Sequence, residues 1–164
     1  MHLFLSIENF LKAKWVLYKP KNKKYLIYDY AHSNYLFKYI KKKECEIYYT
    51  RWEEINLFVL CMAILNNGFI NLKVNYKKIF FNYVKPKIVI TMMSSYTAFY
   101  ELKKYFPEIT TIAIQNDLGN ASLVKTLRKA KRGTFSCDYF FFFSNSFKKT
   151  FQTYINIKKK SISS

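Results

Sequence analysis

From residue 25 onward, short runs rich in β-branched and aromatic residues alternate with longer stretches at helical spacing. That alternation constrains the fold more than any other feature of the chain. YLIYD (25–29) predicts a strand, and SNYLFKYIKKK (33–43) predicts a helix with Tyr35, Leu36, Tyr39 and Ile40 on one face. CEIYYT (45–50) predicts a second strand. RWEEIN (51–56) is a polar connection into the helical stretch LFVLCMAILNN (57–67), and Gly68 fits its C-terminal cap. NLKVNYKKIFFNYV (71–84) predicts a further helix, stopped by Pro86. The remainder is more regular. KIVITMM (87–93), TTIAIQ (110–115) and CDYFFFF (137–143) predict strands, each followed by a helix, over 95–106, 121–133 and 145–155. Such βαβ units wind around a parallel sheet. The expected fold class is therefore α/β: a Rossmann-like, doubly wound, mainly parallel five-stranded sheet over residues 25–157.

The flanks read differently. LFLSIENFLKAKWVLY (3–18) places Leu3, Ile7, Phe10, Leu11, Trp15 and Tyr18 at helical spacing, ahead of the Pro-broken basic linker KPKNKK. Residues 1–24 are thus expected as an amphipathic helix and linker. The helix could lie in a membrane interface or pack on its own domain. Residues 158–164 are expected as a disordered tail, with no strand after the last helix. The longest apolar runs, LFVLCMAIL and YFFFF, fall short of the ~20 residues needed to span a bilayer.

The 28 basic residues against 10 acidic ones leave a net charge of +18. Such a charge suits polyanions or anionic lipid. Only Arg51, Arg128 and Arg132 are arginine, the residue that bidentate phosphate and base recognition favours, so nucleic acid is disfavoured as a partner. Codons rich in A and T would also produce this lysine-, asparagine- and aromatic-heavy composition. Three cysteines without metal or disulfide spacing (Cys45, Cys61, Cys137) point to a reducing cytoplasm. No metal and no cofactor is expected.

Ligands of doubly wound sheets sit beyond the carboxyl ends of the strands, at the point where strand order reverses. The residues to inspect are therefore 29–34, 50–56, 94–96, 115–119 and 144–146. The first βα turn, DYAHSN, holds no glycine for close approach to a pyrophosphate, and neither a P-loop nor a G-x-S-x-G elbow occurs. Asp29 could be a base at a strand end or a cap for the next helix. Glu53 and Glu54 could recognise sugar hydroxyls or complement a helix dipole. His32 reads more simply as a loop histidine than as a base. Gln115, Asn116 and Asp117 end an apolar strand in a polar cluster that is either a site or a turn.

Several segments, in order, resemble one family. They are AKWVLYKPKNKKYLIYD, RWEEIN (similar to RGEEIN), KPKIVIT, FYELKKYFP, ITTIAIQND (similar to IxxIxIQNG) and DYFFFFSNSFKK. Together they resemble bacterial surface-carbohydrate or lipopolysaccharide biosynthesis proteins, which are glycosyltransferase-like with a two-domain GT-B-type fold. The likeness spans residues 10–155. It implies that the chain is the N-terminal, acceptor-side half, truncated before the domain that binds the nucleotide-sugar donor. It also implies a glycan or lipid-linked acceptor and work at the inner face of the cytoplasmic membrane. A nucleotide sugar would be a ligand only with a second domain or partner chain. The residues that carry over to the cleft are Asp29, the best candidate for a catalytic group, with Arg51, Glu53, Glu54, Asn56, Gln115 and Asn116 for substrate. Asp117 joins them by position. The chain departs from the pattern where Trp52 stands for the glycine of RGEEIN and Asp117 for that of QNG. Two alternatives stay open: a stand-alone Rossmann-like module that binds a nucleotide or phosphate ligand without catalysis, and a basic RNA-associated protein.

Overall fold

The computed structural model describes residues 12–116, 121–131 and 133–163. Its centre is a six-stranded, wholly parallel sheet in the order β3-β2-β5-β6-β7-β8. The strands are β2 (Tyr25–Tyr28), β3 (Cys45–Tyr48), β5 (Ile88–Thr91), β6 (Thr110–Ile114), β7 (Phe135–Phe142) and β8 (Ile155–Ser163). A separate parallel pair joins β1 (Lys14–Val16) to β4 (Glu54–Asn56). The helices are α1 (Leu57–Asn67), α2 (Leu72–Val84), α3 (Thr97–Tyr100), α4 (Leu102–Tyr105), α5 (Ala121–Lys129) and α6 (Asn145–Gln152). The order of the sheet reverses once. The chain steps outward from β2 to the edge strand β3, then returns through α1 and α2 to β5 on the other side of β2.

The reversal divides the cover of the sheet. The larger core gathers Leu26, Tyr28, Val89, Ala113, Cys137 and Phe140 under helices α1 to α6. The second face is covered beside β2 and β5 by Leu36, Phe37 and Ile40, packed on Ile27 and Ile90. Strand positions alternate between the two faces, as pleating requires. Leu26 and Ile27, both fully buried, therefore belong to different cores.

Four sequence expectations are corrected. Lys14–Val16, placed in an amphipathic helix over 3–18, is a strand, because pairing with Glu54–Asn56 outweighs local helical spacing. Residues 3–11 of that expected helix lie outside the described residues. The sheet has six strands rather than five, since Ile155–Ser163 pairs with β7 where a disordered tail was expected. Residues 33–43 form two 3₁₀ segments, Ser33–Lys38 and Lys42–Glu44, instead of one α-helix. The helix expected over 95–106 is broken at Glu101 into α3 and α4, and no side chain caps its start.

Candidate functional site

The order reversal sets β2 beside β5, with β3 flanking β2. The chemistry sits just past the carboxyl ends of these strands. Asp29 leaves β2 with φ 78°, in the left-handed region that aspartate tolerates better than most residues. Its backbone N–H still continues the ladder to the Tyr48 carbonyl at 3.0 Å. The turn points its carboxylate inward, where the residue is 1% exposed. Oδ1 accepts from the Ala31 N–H at 2.9 Å and from Arg51 Nη2 at 3.0 Å, and Oδ2 accepts from the Thr50 hydroxyl. Both carboxylate oxygens are thus engaged. What Asp29 does here is fix the direction of Arg51.

Arg51 is the exposed member of the group, its side chain 52% accessible. Its Nε pairs with Glu53 Oε1 at 3.1 Å. Arg51, Trp52 and Glu53, with Lys12 and Ala13, line a shallow depression of about 380 Å³. A cation and a carboxylate at one mouth, both partly exposed, can bind a phosphate or a pair of hydroxyls. Trp52, between them, holds φ 67° and sets its ring 5.3 Å from that of Tyr76.

The other predicted residues divide. Glu54 turns to β1, where Lys14 Nζ donates to its Oε2 at 2.8 Å and is thereby held above the usual lysine range. Asn56 is structural. Its Oδ1 accepts from the Val59 N–H and caps α1, and its Nδ2 donates to the Tyr18 carbonyl. Its N–H donates to the Tyr76 hydroxyl, whose pKa burial pushes up to about 12. Gln115 is buried and accepts the Phe143 N–H at Oε1, stitching β6 to the end of β7. Asn116 lies beside the segment after β5, its Nδ2 4.0 Å from Met93 Sδ and its Oδ1 buried without a hydrogen-bond partner. Asp117 lies outside the described residues. His32 has φ 60° and opens the first 3₁₀ segment.

Sequence reasoning did not single out Thr91. Its hydroxyl donates to the Tyr28 carbonyl at 3.0 Å and accepts the Met93 N–H, tying the ends of β2 and β5 together at the reversal. Its only signal was its place inside the predicted strand 87–93, which ends in the structure at Thr91. The larger depression, about 590 Å³, lies at the opposite edge, where Lys85 and Lys87 lead into β5 and Glu108 precedes β6. It holds none of the strand-end side chains. Among the described residues no three His, Cys, Asp or Glu side chains cluster as metal ligands. Comparison of the chain with protein-family models, curated proteins and solved structures finds no match.

Proposed function

We propose that the chain is the acceptor-side, N-terminal half of a GT-B-type glycosyltransferase-like protein of surface-carbohydrate biosynthesis, and that its strand-end row Asp29–Thr50–Arg51–Glu53 faces a glycan. The observation that carries this reading is the backbone at Trp52. In the motif that RWEEIN resembles, this position is glycine, and here the residue adopts φ 67°, a conformation that favours glycine. A left-handed backbone at this position is what a motif glycine would adopt without strain, and that agreement supports the reading. Asp29 then acts as a positioning residue, Arg51 and Glu53 contact hydroxyls or a phosphate, and the nucleotide-sugar donor is supplied by a second domain or chain.

A second reading, a phosphate- or nucleotide-binding module without catalysis, is favoured by one feature. Arg51 is oriented by Asp29 yet half exposed, as an anion-binding cation would be. A thermal-shift series separates the two. Ligand near a hundredfold its Kd should contribute about 2.7 kcal/mol, a rise of several degrees. Oligosaccharides should raise the melting temperature of the wild type and not of Arg51→Ala. A rise with inorganic phosphate or nucleotide, and none with oligosaccharide, supports the second reading. A rise with RNA alone overturns both.

A further inference from the structure

The apolar run that forms α1 is not enclosed by the fold. Val59 and Ala63 enter the core, while Cys61 and Leu65, four residues apart on one helical face, are exposed, Leu65 at 79%. Past Gly68 the turn into α2 carries Phe69 and Ile70, exposed at 71% and 76%. A helix apolar on all sides is ordinarily buried in protein or in contact with lipid. Bulky apolar side chains gathered at one surface mark an interaction site rather than scattered exposure.

The charge pattern identifies what covers them. From Ile55 through Tyr100 the chain contains no Asp or Glu; Lys77 is buried and Lys85 and Lys87 lie past the far end of α2, so the cations nearest the turn are Lys73 and Lys78. Lys73 is exposed in the first turn of α2, close in sequence to Ile70. A second copy of a chain with net charge +18 would bring like charges together. RNA would satisfy the lysines and could stack a base on Phe69, but it would gain little from Leu65 and Ile70, which offer no ring. An anionic bilayer satisfies both features, with acyl chains for the apolar residues and headgroup phosphates for the ammonium groups. The eleven residues of α1 cover roughly 16 Å, so the helix lies along the interface and does not cross it.

We propose that the α1–α2 hairpin docks the protein on an anionic lipid surface, with Cys61, Leu65, Phe69 and Ile70 at the boundary between headgroups and acyl chains. This stands on the exposed hairpin alone and is independent of the glycan reading of the strand-end row.

Cys61 supplies the test, because Cys45 and Cys137 are buried and it is the cysteine open to a water-soluble maleimide. Vesicles of phosphatidylcholine with about one-third phosphatidylglycerol should sediment with the wild-type chain and slow Cys61 alkylation about tenfold, whereas pure phosphatidylcholine should do neither. The Phe69→Ser, Ile70→Ser double variant should bind these vesicles at least about tenfold more weakly. Its melting temperature should be unchanged, since both side chains already face solvent. The proposal is overturned if the wild type ignores anionic vesicles, or if it binds them with Cys61 alkylated at the same rate. Binding that survives the double variant also overturns it, because the contact then lies elsewhere, residues 1–11 included. So does protection of Cys61 by polyuridylate in place of vesicles.

Discussion

Asp138 sits within β7 and is 3% exposed, yet its environment holds its charge. Burial alone would push its carboxyl up. The Thr111 N–H at 2.8 Å and the Lys103 ammonium at 3.0 Å outweigh that, and the net displacement is below the ordinary aspartate value. Lys103 is satisfied in turn by the Pro107 and Ile109 carbonyls. A depressed carboxyl contributes stability that is complete above the unfolded-state value, about 3.9, and is lost as pH falls through the folded one. Asp138→Asn should therefore cost about 2 kcal/mol in urea unfolding at pH 7. The gap to wild type should narrow as pH falls below the ordinary aspartate value, about 3.9, and through the lower folded one. A gap of constant size across that range would show that the carboxylate charge is not what matters. This pair lies away from the carboxyl ends of the strands, and its role is to fasten α4 and β6 to β7.

The turn Arg51–Glu53 bears the strain that the glycan reading relies on. Trp52→Gly and Trp52→Ala both remove the ring from Tyr76, but only glycine relieves a left-handed backbone. The glycine variant should be the more stable of the two by about 1 kcal/mol in denaturant melts. Equal stability would mean that the backbone relaxes freely and that the conformation carries no record of the motif.

How much of each element could be read beforehand follows from local physics. The α1 segment was legible to the residue, because an asparagine that caps and a glycine with φ 59° enclose its apolar run. β8 was not, because Lys158 to Lys160 look like a solvated tail. On an edge strand, however, lysines are the ordinary guard against pairing with another chain. β1 was hidden for another reason: its partner lies forty residues away, from Lys14 to Glu54, and no local pattern records such pairing. Among the candidate residues, position at a strand end singled out Asp29, whereas Arg51 was named through the resemblance of RWEEIN. Nothing in the sequence distinguished Glu53, which meets Arg51, from Glu54, which meets Lys14. Only the register of β1 against β4 separates them.

Taken whole, the molecule combines net charge +18 with a sheet whose core is almost free of carboxylates. Self-repulsion among so many ammonium groups opposes compaction and is screened by salt. The melting temperature should rise by several degrees between about 0.02 M and 0.5 M NaCl, as the Debye length shrinks from roughly 20 Å to below 5 Å. A flat or falling response would mean that the lysines are already locally compensated. The parallel topology has a further consequence during synthesis. β2 contributes Leu26 and Ile27, both fully buried, yet its inner neighbour β5 follows some sixty residues later, from Tyr25 to Ile88. A ribosome adding about 5–20 residues per second leaves that strand without its partner for several seconds. For that time the most hidden residues of the finished protein are among the most accessible parts of the nascent one.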